Sequence, residues 1–257
     1  NPQTRLFGGI YGDGFGYSST TKMKMDRTSV NWNVDFQRFL NPERTSSLVL
    51  SYQLTGSPQT TENSNRFDAP EGVALDLTDR ISSNEEKTTQ HILQADLSTQ
   101  IREGHTLNFG AKAMFRNSAV NASMLMGGIA SADMATDYGY DNSIAALYGE
   151  YRGKLGKASL TTGLRYEHTW LSAEYRGGKG EDFSSNYGNL VPSLTLSYAL
   201  DYQNNIGTNY TMRISRPGIT YLNPYIDRSD PTALTYGNPD IDVEKSHNAE
   251  LVFNHFS

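Results

Sequence analysis

The chain has 257 residues, 37% of them hydrophobic, with 16 Tyr, 23 Gly, 9 Pro, no Cys and a net charge of −6. That length suits one large β domain or two ordinary ones. The lack of cysteine excludes a disulfide framework and thiolate metal sites, the acidic balance argues against a nucleic-acid surface, and no run approaches the ~18 apolar residues of a helical membrane span.

Taken in order, Thr4 to Gly16 is rich in glycine and aromatics and reads as a first strand, and Ser18 to Arg27 reads as a loop. Val30, Trp32, Val34 and Phe36 then alternate with Asn31, Asn33, Asp35 and Gln37, a two-residue period that means β-strand. An Asn-Pro turn from Asn41 to Thr45 returns the chain into Leu48, Leu50, Tyr52 and Leu54. Gly56 to Lys87 is expected to be a long polar connection. The clearest unit follows: Leu93, Ala95, Leu97 and Ile101 alternate with Gln94, Asp96, Ser98 and Gln100. Glu103 to His105 forms a turn, and Leu107, Phe109, Ala111, Ala113 and Phe115 alternate with Asn108, Gly110, Lys112 and Arg116. This is a hairpin with one apolar and one polar face.

Asn117 to Asp141 reads as a second long segment, after which Ala145, Leu147, Gly149 and Tyr151 resume the alternation. Gly153 to Lys157 makes a short turn into Ala158, Leu160, Leu164 and Tyr166. Arg176 to Gly188 reads as a loop of middling length. Leu190 to Leu200 and Ile206 to Ile214 are strands joined by the short turn Asp201 to Asn205. Pro217 to His247 is a last long loop before Ala249, Leu251 and Phe253.

The expected fold is therefore all-β: an antiparallel up-and-down transmembrane β-barrel segment of about ten strands, treated as a single domain over residues 1–257. Connections alternate between short turns and long loops, the asymmetry of outer-membrane barrels. Each alternating run has about the ~9 to 11 residues that a tilted strand needs to cross a bilayer. Polar residues on the apolar parity (Arg38, His91, His168, His255) lie near strand ends, where they reach headgroups or water. Aromatics on that parity gather toward both ends as two interfacial girdles, with Trp32 and Tyr210 nearer mid-strand. The competing fold is a soluble β-sandwich with the apolar parity as its core. It calls for an outer face studded with Lys and Glu, whereas the second face here is mostly Asn, Gln, Ser, Thr and Gly.

Recognition is expected in the loops, which carry function on rigid scaffolds. In the last long loop Arg216, Tyr221, Asn223, Tyr225, Asp227 and Tyr236 combine aromatic and charged groups suited to a polar ligand. Asp240, Asp242 and Glu244 alternate but lack the ~12-residue calcium-loop pattern, so no metal site is assigned. The five histidines are scattered, none beside a serine or carboxylate in a nucleophile arrangement. Gly12-Asp13-Gly14-Phe15-Gly16 lacks the helix of a dinucleotide fingerprint. No catalytic residue and no cofactor are assigned.

The run from Arg216-Pro217 through Leu222-Asn223-Pro224-Tyr225, Tyr236-Gly237-Asn238-Pro239-Asp240-Ile241 and Glu244-Lys245-Ser246 to Glu250-Leu251 resembles the barrel domain of TonB-dependent outer-membrane receptors. It is most similar to the outer-membrane β-barrel protein group of Bacteroidota, with Val243 where that group usually has proline. The rest of the chain matches by strand rhythm alone. The resemblance implies a bacterial outer-membrane receptor that takes up a scarce nutrient (siderophore, cobalamin, glycan or peptide). Its implied partners are outer-membrane lipid, an N-terminal plug domain, the remaining barrel strands and a TonB-type energising protein. Neither a plug domain nor a motor-contact box is recognisable between Asn1 and Ser257, and receptor barrels have about 22 strands, so the chain is expected to be an internal portion of a longer barrel. The alternatives are a self-contained structural or adhesive barrel and a soluble carbohydrate-binding sandwich.

Overall fold

The computed structural model describes residues 3–6, 15–68, 77–132, 135–178, 181–222, 236–238 and 240–255. Twelve strands among them join one antiparallel sheet: β1 (Gln3–Leu6), β2 (Phe15–Arg27), β3 (Val30–Phe39), β4 (Ser46–Asp68), β5 (Arg80–Arg102), β6 (His105–Met126), β7 (Ile129–Ala130), β8 (Thr136–Leu155), β9 (Ala158–Gly178), β10 (Phe183–Ala199), β11 (Asn204–Ser215) and β12 (Glu244–His255). Their order across the sheet is β1-β2-β4-β5-β6-β8-β9-β10-β11-β12, with β7 folded back on the end of β6. A four-residue helix, α1 (Ile219–Leu222), lies between β11 and β12.

β2 and β3 are two halves of one wall strand. Arg27 pairs with Gln59 and Val30 with Gly56 in an unbroken register, so Thr28 stands opposite Pro58. Thr28 N donates to Pro58 O at 3.1 Å, but proline has no N–H to return the bond. The ladder opens there without a shift. Counted this way the wall has ten strands, as the alternation predicts.

The apolar parity is the exposed face. Leu147 is 64% exposed and Phe36 56%, and Leu93, Phe109, Leu164, Leu190 and Leu251 are exposed with them. No second sheet covers these side chains among the described residues, so the sandwich is excluded. A continuous apolar surface of this kind belongs against hydrocarbon. The band also slants. The rung that meets the start of the apolar run in β12 at Ala249 passes through Tyr210, Leu194, Thr162, Tyr151, Leu107 and Thr99, and reaches β4 only at its first residue, Ser46. Strands tilted to the membrane normal produce this stagger.

Three short turns hold left-handed backbone at Arg44 (φ 57°), Gly104 (φ 73°) and Gly156 (φ 60°). They are tied sideways, since Gln100 N donates to Thr45 O at 2.9 Å, Lys154 N to Gly104 O at 3.0 Å and Ala199 N to Lys157 O at 2.9 Å. At the fourth, Asp201 accepts from Gln203 N and Asn204 N, both at 2.8 Å. Those bonds, with the Asn204 side chain as the largest cause, hold the Asp201 carboxyl below its usual range.

The other end departs from the expected long loops. The expected loop Ser18 to Arg27 is strand β2, paired along Gln59 to Asp68. The expected connection Gly56 to Lys87 is mostly β4 and β5, each 23 residues long. Asn117 to Asp141 contains the end of β6, all of β7 and the start of β8, while Arg176 to Gly188 contains the end of β9 and the start of β10. At ~3.3 Å per residue such strands far exceed a bilayer. Beyond the apolar band both faces meet water, so hydrogen-bonded pairing persists while the two-residue hydropathy period disappears. Of the expected first strand, residues 7–14 lie outside the described residues, and Phe15 and Gly16 belong to β2.

Three tyrosine–histidine couples lie on the outer face. Tyr52 OH and His91 Nδ1 lie 2.9 Å apart, His105 Nδ1 and Tyr151 OH 2.6 Å, and Tyr210 OH and His247 Nδ1 2.9 Å. Trp32 packs edge-on to Tyr52 with ring centroids 5.7 Å apart. A histidine that shares its ring nitrogen with a tyrosine hydroxyl meets the membrane with less unsatisfied polarity.

Candidate functional site

The inner face carries the polar chemistry. On β5 Gln94 Nε2 donates to Asp96 Oδ2 at 2.7 Å. The other oxygen of Asp96 accepts from Tyr148 OH, at 2.5 Å, from two strands away on β8. The intervening rung on β6 is Gly110, whose added Cβ would stand 2.3 Å from the Tyr148 ring. The missing side chain is what lets that ring cross β6, the glycine–aromatic device of sheets. The Arg165 guanidinium lies over the Tyr148 ring, 5.0 Å from its centroid, and Arg165 Nε donates to Glu167.

Glu167 meets the last long loop. Immediately after β11, Arg216 donates through Nη2 to Glu167 and through Nε to Thr169 Oγ1 at 3.1 Å. Thr169 is wholly buried and Glu167 is 9% exposed. The next turn is α1, where Tyr221 N donates to Gly218 O at 3.0 Å. Its last residue, Leu222, is buried against Val120, Tyr138, Tyr140, Leu171 and Ala173 of the inner wall, with Tyr175 and Phe183 at the margin. Tyr138 and Tyr175 stack with centroids 5.2 Å apart. Burial pushes the Tyr138 hydroxyl up and that of Tyr140 to about 12.

The returning arm of the loop is fastened to the outgoing one. Asn238 N donates to Tyr221 O at 2.7 Å, Asp240 N donates to the Asn238 side chain at 3.0 Å, closing an Asx turn, and Val243 is buried. In β12 Asn248 and Glu250 share the inner parity, and Asn248 Nδ2 donates to Glu250 Oε1 at 2.9 Å. Asn189, in register with Glu167 and buried, leaves its Nδ2 without a partner.

The six residues singled out in the sequence meet different fates. Arg216 is turned to the wall. Tyr221 and Tyr236 are 67% and 69% exposed and stand near each other through the Asn238 to Tyr221 bond. Asn223, Tyr225 and Asp227 lie outside the described residues. Sequence reading missed Glu167, Thr169 and Asn189, which alternate on β9 and β10 like any inner-face polar residue and carry no local signal. Among the described residues no group of His, Asp and Glu side chains is placed to hold a metal ion.

A single tilted antiparallel wall, with an apolar outer face and a polar inner face, defines an outer-membrane β-barrel protein. Residues 22–257 match the outer membrane protein beta-barrel family, and the chain belongs to that family. Its place is the bacterial outer membrane.

Solved structures with the same wall include the ferric yersiniabactin uptake receptor FyuA from Yersinia pestis. It is 12% identical, covering 95% of this chain and 43% of that one, at a TM-score of 0.54. The unliganded ferric citrate transporter FecA is 15% identical over 82% of this chain and 29% of its own, at 0.48. The Serratia marcescens hemophore receptor HasR is 17% identical over 98% and 48%, at 0.43. The chain thus spans less than half the length of each. A comparison with curated proteins finds no match.

Proposed function

We propose that the chain forms part of the wall of a TonB-dependent receptor that takes up a scarce nutrient of the siderophore, cobalamin, glycan or peptide class. The ligand meets the loop between β11 and β12 on the side away from the short turns. The observation that carries this reading is the loop's seating: its root is fixed to the inner wall through Arg216 and Leu222, while Tyr221 and Tyr236 stay exposed. Rigid aromatic rings on a fixed scaffold cost little entropy to use as contacts. FyuA, which shares the wall fold, is a ferric yersiniabactin uptake receptor. In this reading the remaining strands, a plug domain and a TonB-type protein complete the machine, and the chain performs no catalysis.

The test is uptake by cells carrying the full-length receptor, supplied in turn with ferric siderophores, cobalamin, oligosaccharides and peptides. The expected result is uptake of one class that depends on the energising protein, with affinity lowered roughly tenfold or more by combined Tyr221→Ala and Tyr236→Ala, the loss of two aromatic contacts. Uptake of none of these classes, or uptake indifferent to the energising protein, would contradict the proposal.

A further inference from the structure

We infer that Arg216 is the anchor of the ligand-binding loop, not one of its ligand contacts, and that Glu167 is the residue that positions it. The inference rests on the receptor reading above for what the loop is used for, but the anchoring itself stands on geometry. Arg216 spends Nε on Thr169 and Nη2 on Glu167. Glu167 is held in turn by Arg165, and Arg165 lies over the Tyr148 ring, whose hydroxyl is bonded to Asp96. The chain of contacts crosses the inner wall from β5 to β9 and ends at the first residue after β11.

The charges say why Arg216 stays on the wall. With Arg216 in place the Glu167 carboxylate faces two guanidinium groups, Arg165 and Arg216. Lift Arg216 away and a nearly buried carboxylate loses one of its two cations, an arrangement that low-dielectric surroundings penalise. Leu222, six residues on, is carried to its apolar seat by the same fixed start. Glu167 therefore decides where the chain leaves the wall, and hence where Tyr221 and Tyr236 are presented.

The experiment uses the full-length receptor in intact outer membranes, without ligand, and reads the rate at which added proteinase K cleaves within residues 217–243. Heat-modifiable migration of the uncut protein reports whether the barrel is folded. Glu167→Gln and Arg216→Gln are each expected to raise the cleavage rate roughly tenfold or more with migration unchanged. The double variant, which removes both partners of the pair, is expected to be no faster than the faster single, the non-additivity of groups that act as a unit. Arg216→Lys keeps the charge but cannot reach both partners, and should fall between wild type and Arg216→Gln. Arg152→Gln, which removes an exposed pair with Glu150 near the short turns, should leave cleavage as it was.

Wild-type cleavage rates in Glu167→Gln, or full multiplication of the two single effects in the double variant, would overturn the anchor. If Tyr221→Ala and Tyr236→Ala leave uptake intact while Glu167→Gln still frees the loop, the ligand assignment fails and the anchor stands.

Discussion

Leu93→Arg is expected to remove most of the folded, heat-modifiable protein from the outer membrane, while Gln94→Arg, one residue on, leaves it in place. Leu93 lies on the outer face in a rung with Tyr52, Ala113, Ala145 and His168 and is half exposed. An arginine there meets hydrocarbon, at a cost that reaches roughly 2 to 4 kcal/mol at the bilayer midplane, a large share of a domain's net stability. Gln94 points the other way, where its side chain reaches Asp96 and pairs in register with Lys112. A second cation at 94 adds to a polar wall that already holds a carboxylate, so the change should stay within about 1 kcal/mol. Band-shift electrophoresis of membranes from cells making each variant checks the pair. Equal loss, or equal retention, would contradict the face assignment.

Gly110→Ala should destabilise the wall more than an alanine in a strand normally does. Glycine within a strand is ordinarily the weaker choice, yet here the added Cβ would overlap the Tyr148 ring at 2.3 Å. The ring has to leave β6, and Asp96 loses the hydroxyl that it accepts from. Overpacking of this kind costs about 1 to 3 kcal/mol, and the loss of a hydrogen bond to a charged group about 1.5 to 3 more. Combining Gly110→Ala with Tyr148→Ala removes the clash and should recover the overpacking part, leaving the loss of the hydroxyl. Urea unfolding of the barrel in lipid vesicles measures both variants against wild type. A stabilised Gly110→Ala would show that the ring does not need the gap.

What could be read from the residues, and what could not, divides along the membrane boundary. Inside the apolar band hydrocarbon on one side and a polar interior on the other impose a period of two, and Val30 to Phe36, Leu48 to Leu54 and Leu93 to Ile101 display it openly. Beyond the band that contrast is gone. Ser18, Ser19, Thr20, Thr21, Lys22 and Lys24 look like a loop because water wets both faces, yet they pair residue for residue with β4. Backbone hydrogen bonding is indifferent to the hydropathy pattern that betrays it elsewhere.

The candidate site was legible only in part, for a related reason. Tyr221 and Tyr236 stand out by composition and are exposed, as a contact residue needs to be. Arg216 stands out equally but is committed to Glu167, 49 positions away. No spacing rule joins residues so far apart. Only the register of β9 against its neighbours, and the entry of the chain after β11, bring them together. The same holds for Asp96 and Tyr148, whose bond depends on a glycine in a strand lying between them.

The most direct test is a cysteine scan through Ile92, Leu93, Gln94, Ala95, Asp96 and Leu97 in the assembled barrel, which the absence of native cysteine in this chain makes straightforward to read. Each single cysteine carries a spin label in native membranes, and its collisions with dissolved oxygen and with a water-soluble relaxant are compared. Oxygen-dominated relaxation is expected at 93, 95 and 97, and relaxation by the water-soluble agent at 92, 94 and 96. A profile without that two-residue alternation, or one with 93, 95 and 97 shielded from oxygen, would contradict the membrane-facing wall.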